Sequence, residues 1–147
     1  MNVCERDFFI QLYELMEKPE LLMSLKENMT RYFRINGYRN IAVYGIGRLG
    51  TLILKNIDIA QLESICTIDE NKAAHFGDIE TINIHELADR KKIDVVLITP
   101  LLDYPQIEVQ ICSMCEIPVI SAKELMCDMI NQSLFPDDAD GGNGANG

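Results

Sequence analysis

Three glycines at positions 45, 47 and 50 constrain this chain more than any other feature. They sit in Ile41-Ala-Val-Tyr-Gly45-Ile-Gly47-Arg-Leu-Gly50, where a stretch that reads as a buried strand runs into a turn. A helix then reads from Leu49 to Ile57. G-x-G-x-x-G spacing carries weight only in this context, after a strand and opening a helix. Gly45 permits the tight turn, Gly47 lets main-chain N–H groups come close to a phosphate, and Gly50 lets helix and strand pack against each other. The start of the helix adds unpaired N–H donors and the positive end of its dipole. The same geometry asks for a carboxylate about 20 residues on, at the end of the next strand, to accept from ribose hydroxyls. Ser64-Ile-Cys-Thr-Ile68 reads as that strand, and Asp69 stands at its carboxyl end. A carboxylate there repels a 2′-phosphate, so the pattern favours NAD over NADP.

Around this motif the chain alternates between two periodicities. Residues 5–17 read as a short helix with Phe8, Phe9, Leu12, Leu15 and Met16 on one side. Pro19 suits the first turn of a second helix, in which Leu21, Leu22, Leu25, Met29, Tyr32 and Phe33 recur at helical steps and Asn36-Gly37 supplies the stop. After the strand at 64–68 come a loop over 70–76 ending at Gly77, a short strand at about 79–82, and Asn83-Ile-His-Glu86. The last has the form of a capping box, opening a brief helix to about Lys91. Asp94 to Ile98 is apolar on both faces, as a central parallel strand should be, and ends at Thr99-Pro100. Pro105 then starts a helix carrying Ile107, Val109 and Ile111, and Pro118-Val-Ile120 is a final strand. Ser121-Ala-Lys-Glu124 is a second capping box, opening a helix with Leu125, Met126, Met129 and Ile130. Strands alternating with helices predict an α/β fold, a doubly wound parallel sheet of about five strands preceded by two N-terminal helices. Right-handed crossovers make its order 3-2-1-4-5. Three regions follow: helices over 1–38, the nucleotide-binding unit over 39–135, and an acidic, Gly/Asn-rich tail over 136–147 with nothing to bury, expected to be disordered.

Charge and cysteines exclude several classes. The chain of 147 residues carries a formal charge of −10. Residues 1–38 hold five basic and six acidic groups, residues 39–135 eight and fourteen, and the tail three acids. No segment is basic, which opposes nucleic-acid binding. No apolar run approaches the roughly 18 residues that span a bilayer. The opening Met1-Asn-Val-Cys-Glu-Arg-Asp lacks the basic region and cleavage site of an export signal. The five cysteines (Cys4, Cys66, Cys112, Cys115 and Cys127) are odd in number. Reduced thiols in a cytoplasmic protein are the expectation. The apolar stripe of residues 19–35 reads as a core face, and two helices ahead of the first strand leave room for a homodimer arm.

The pieces at 41–50, 65–69, 94–100 and 117–120 resemble the Rossmann-type NAD(H)-binding domain of redox-sensing transcriptional repressors. They are equally similar to nucleotide-binding domains attached to sugar-modifying enzymes of surface-polysaccharide synthesis. The resemblance implies that the glycine turn holds phosphates, that the acid after the second strand holds a ribose, and that the loop after the fourth strand lies beside the ligand. The expected contact set is therefore Gly45, Ile46, Gly47, Arg48, Leu49 and Gly50, with Asp69, Thr99 and Pro100, and the expected ligand is NAD(H) or a sugar nucleotide. The chain departs from both families. Residues 1–38 are near neutral and too short for the repressors' basic winged helix, and the separate catalytic domain of the sugar-modifying enzymes has no counterpart here.

Other chemistry finds little support. Cys112-Ser-Met-Cys115 closes a predicted helix, whereas an activated thiolate sits at a helix start. His85-Glu86 begins like H-E-x-x-H, but Asp89 stands in the last place. There is no G-x-S-x-G. No tyrosine is followed four residues on by lysine; after Tyr104 comes Glu108. The sequence therefore points to a non-catalytic nucleotide-binding module, a sensor or subunit. The alternatives are a small nucleotide-sugar enzyme completed across a dimer, which requires polar side chains from residues 100–108 facing the glycine turn, and a ligand-free scaffold.

Overall fold

The structure is a computed structural model describing residues 10, 12, 14, 17–69, 76–89, 92–100 and 103–134. Within the helix expected over residues 5–17, Ile10, Leu12 and Glu14 are helical and Leu12 is buried. Most of the remaining positions lie outside the described residues, as do the loop at 70–75, Lys91 and the tail.

Helix α1 (Pro19–Asn36) begins on its proline and ends at Gly37, which takes the left-handed conformation at φ 72°. The Gly37 amide donates to the Arg34 carbonyl and the Tyr38 amide to that of Phe33, satisfying the last turn. Leu25, Met29 and Phe33, four residues apart, form the buried stripe and share a core with α4 (Ala122–Leu134). Between them run β1 (Asn40–Tyr44), α2 (Arg48–Asn56), β2 (Ser64–Ile68), β3 (Glu80–Ile82), β4 (Val95–Ile98), α3 (Tyr104–Met114) and β5 (Val119–Ser121). All five strands are parallel, in the order β3-β2-β1-β4-β5.

The two-residue period of the central strands sorts their side chains between two cores. Ile41, Val43, Val95 and Leu97 face α1, α2 and α4. Ala42, Tyr44, Val96 and Ile98 face Ile107 and Ile111 of α3, together with Ile84 and Leu87. Covering on both faces is what the uninterrupted apolar runs of β1 and β4 require. No helix among the described residues is long and apolar enough to cross a membrane.

Local details differ from expectation. Residues Ile84–Asp89 form a 3-10 segment, not an α-helix. The Asn83 carboxamide oxygen accepts from the His85 amide at 2.9 Å, two residues on, where a capping box would use the Glu86 amide. That amide donates instead to the Asn83 carbonyl. Val109 is 69% exposed, because it lies two residues from both Ile107 and Ile111 and so on the far side of α3. Asp94 does not belong to β4. Its Oδ2 accepts from the Arg39 amide at 2.8 Å, the Asn40 amide at 2.7 Å and Asn40 Nδ2 at 3.2 Å, clasping the start of β1 to the start of β4. Asn40 in turn accepts from Ser64 Oγ at 2.7 Å, tying in β2.

Candidate functional site

The strand order places one topological switch point in the sheet. From β1 the chain winds through α2 on one face to β2, whereas from β4 it winds through α3 on the other face to β5. The carboxyl ends of β1 and β4 therefore diverge into a crevice, the usual ligand position in open α/β sheets.

The three glycines occupy that corner with different physical roles. Gly45 ends β1 at φ 95°, a region costly for residues with a side chain, and its amide donates to the Ile68 carbonyl at 2.9 Å. A Cβ on Gly45 would lie 2.5 Å from Thr99 Oγ1 and 3.2 Å from Pro100 Cδ. A Cβ on Gly50 would overlap the Gly45 carbonyl oxygen. Both glycines are demanded by the packing of the turn on itself. Gly47 is not. Its φ of −90° and ψ of −159° suit any residue, it is exposed, and a Cβ there would meet nothing within 4 Å.

Gly47 is also the N-cap of α2. It supplies no side-chain cap, and the first turn carries no acidic residue. The first helical hydrogen bond runs from the Thr51 amide to the Gly47 carbonyl at 2.9 Å. Among the described residues no main-chain bond uses the amides of Ile46, Gly47, Leu49 or Gly50. The donors that helices normally satisfy with a Ser, Asp or Asn side chain are left to other acceptors here. Leu49 is buried in the core and anchors the turn, while Ile46 is half-buried. Arg48 opens α2; its side chain lies outside what the structure describes.

Asp69 follows β2, half-buried, with its amide donating to the Ile82 carbonyl at 3.1 Å. Pro100 flanks the mouth. Thr99 is buried beneath the turn, and its hydroxyl donates to the Tyr44 carbonyl at 2.7 Å, with the Gly45 carbonyl 3.3 Å away. It secures β4 to the glycine turn from below.

Tyr44, Gly45, Asp69 and Pro100 form one side of a cleft of ≈ 420 Å³. Its other side is α3, through Asp103, Gln106, Ile107 and Gln110. These are positions i, i+3, i+4 and i+7, a single helical stripe. Ile107 faces the core, while the other three are exposed polar residues. The enzyme alternative asks for polar groups from residues 100–108, and Asp103 and Gln106 fall in that range; the sequence does not single them out, since a polar stripe on an amphipathic helix ordinarily faces solvent. The described lining carries two carboxylates and no lysine or arginine.

On the adjoining face of α3, the Tyr104 hydroxyl donates to Glu108 Oε2 at 2.7 Å. Burial first, and then the hydrogen bond to Glu108, push the phenol up to about 12. Two other depressions, of ≈ 60 and ≈ 400 Å³, border α1 near Arg34 and Asp58, away from the glycine turn. Among the described residues no group of three or more His, Cys, Asp or Glu is placed to hold a metal ion.

No protein-family model matches the chain, and no curated protein sequence matches it. The fold and the corner at Gly45–Gly50 are therefore the whole basis for assigning a role. They define the class: a doubly wound, Rossmann-like α/β domain with a cleft at its switch point.

Proposed function

We propose that the chain is a non-catalytic nucleotide-binding module that holds NAD(H) or a sugar nucleotide by its phosphates, as a sensor or as a subunit of a larger system. The observation that carries this reading is the contrast among the three glycines. Gly45 and Gly50 answer to the protein's own atoms, whereas Gly47 faces open space at an uncapped helix start. A residue without a side chain is useful there when something outside the chain must come close to the backbone. The cleft volume suits a small ligand, within the range of about 300–1,000 Å³ common for such sites. Asp69 stands where a ribose would be held.

The enzyme reading draws on Asp103 and Gln106, polar groups in the 100–108 stretch that line the cleft with Gly45. Calorimetric titration with NADH, NAD and UDP-glucose tests the proposal: at least one binds, and Gly47→Val abolishes that binding while the fold persists. Absence of binding by all three at millimolar concentration refutes it. The module is further proposed to be a cytoplasmic homodimer joined through its N-terminal helices, because α1 exposes Met23 at 66% and Ile35 at 73%. Sedimentation should then give a dimer that Met23→Glu with Ile35→Glu converts to monomer; a parent that stays monomeric at about 100 µM, where a dimer of micromolar Kd is assembled, ends that idea.

A further inference from the structure

We propose that α3 is the selectivity wall of the cleft: it admits a nucleotide whose group beyond the phosphates is uncharged and rich in hydrogen-bond donors, and rejects one that carries a further negative charge. The inference rests on the nucleotide reading above and concerns the half of the ligand that the glycine turn does not touch.

Three observations carry it. First, Asp103 stands at the N-cap of α3, where an aspartate ordinarily accepts from the helix's own amides, yet its side chain makes no cap bond. Its main-chain carbonyl takes the Ile107 amide instead, leaving the carboxylate to the cleft. Second, Gln106 and Gln110 line the same cleft one and two turns on. None of the three side chains makes a hydrogen bond or ion pair with the described residues, so a stripe of acceptors and amide donors is uncommitted within the protein. Third, Asp103 puts a carboxylate on the α3 side of the cleft, beside the two glutamines.

These groups divide the ligand's recognition in two. The helix start, with its positive dipole end, takes the phosphates. Beyond them, a carboxylate and two carboxamides suit hydroxyls or a carboxamide, which donate to Asp103 and exchange bonds with the glutamines. A carboxylate on the ligand at that place would meet like charge and lose its water without gaining a partner.

Matched probes isolate that charge. ADP and UDP are first titrated calorimetrically into the full chain. If neither binds at millimolar concentration, the nucleotide reading falls and this inference falls with it. If ADP binds, NAD is compared with nicotinic acid adenine dinucleotide, which replaces a carboxamide by a carboxylate. If UDP binds, UDP-glucose is compared with UDP-glucuronate. The uncharged member should bind on the order of tenfold more tightly. Asp103→Asn should shrink the gap to less than about threefold. Gln106→Ala with Gln110→Ala should weaken the uncharged member and leave ADP or UDP itself unchanged. ADP or UDP binding with no discrimination within its pair overturns the selectivity wall while leaving the nucleotide reading intact. So does a tenfold gap that survives Asp103→Asn in a variant whose circular dichroism matches the parent.

Discussion

Replacing each of two glycines by alanine separates the glycine the fold needs from the one it does not. At Gly50 an added Cβ falls on the Gly45 carbonyl oxygen, far inside the 3.0 Å that real Cβ contacts respect. The obstacle is backbone, held by the Gly45 amide bond to Ile68, so α2 must move away from β1. Overpacking of that kind costs about 1–3 kcal/mol and more where backbone must shift. Against it stands the gain of about 1 kcal/mol for alanine over glycine in a helix. Gly50→Ala should therefore lose about 2 kcal/mol. At Gly47 the terms nearly cancel. Alanine restricts the unfolded chain, which stabilises by about 0.4–1 kcal/mol. It is a poorer N-cap than glycine by about half a kcal/mol or somewhat more. Neither strain nor contact opposes it, since φ is −90° and nothing lies within 4 Å. Gly47→Ala should stay within about 0.5 kcal/mol of the parent, the usual range for surface changes. Urea unfolding followed by circular dichroism reads both; with a slope of about 2 kcal/mol/M, Gly50→Ala moves the midpoint down by about 1 M. A neutral Gly50→Ala, or a Gly47→Ala that costs more than about 1.5 kcal/mol, would refute the division of roles.

Asp94 gives a pH signature. Burial raises its pKa, but the bonds from the Arg39 amide, the Asn40 amide and the Asn40 side chain outweigh burial and leave it below its ordinary 3.8. A lowered acid contributes stability above its unfolded pKa and loses it as pH falls through the folded one. The parent should therefore weaken below pH 3.8, and Asp94→Asn should flatten part of that fall while costing about 2 kcal/mol at pH 7. Equal pH profiles for the two proteins in urea titrations contradict the clasp. Thr99→Val, which keeps the shape and removes the hydroxyl bonded to Tyr44, should lose about 1–2 kcal/mol, with Thr99→Ser recovering part of it. An unchanged urea midpoint in Thr99→Val contradicts that role.

The sheet was legible because its information is local. Apolar runs at 41–44, 64–68 and 95–98, each followed by short connections and helical periods, leave few topologies once crossovers are right-handed. The glycine turn was legible for the same reason: strand, turn and helix are contiguous. What escaped depends on partners far along the chain. Asp94 looks like the first residue of a strand, and only the amides 54 and 55 positions earlier make it a clasp. Nor does the sequence show that the Thr99 hydroxyl donates to the Tyr44 carbonyl, 55 residues back. Asn83 and Glu86 carry a capping signature that an α-helix and a 3-10 segment share, and the sequence does not state how many residues then find space to bury. Asp103, Gln106 and Gln110 carry a helical polar stripe, and nothing in that pattern tells bulk water from a crevice. The direction of a polar face is set by what packs on the opposite side of the sheet.

The corner of the sheet thus joins two sets of residues that answer to different pressures. Gly45, Gly50, Thr99 and Asp94 are held by atoms of the chain itself, so their variants should report on unfolding whether or not any ligand is present. Gly47, Asp103, Gln106 and Gln110 have no such obligations among the described residues, so their variants should leave unfolding nearly untouched and act on binding alone. On the proposed nucleotide reading the second set serves the ligand, whereas a ligand-free scaffold would be under no pressure to keep it. Its glycine could become any residue, its N-cap aspartate would cap, and its cleft would gain by filling with apolar side chains, because buried apolar area is the main stabilising term open to it. A small domain that leaves Asp103, Gln106 and Gln110 uncommitted around an open cleft gives up that stability, and on the proposed reading a bound nucleotide would return it by mass action.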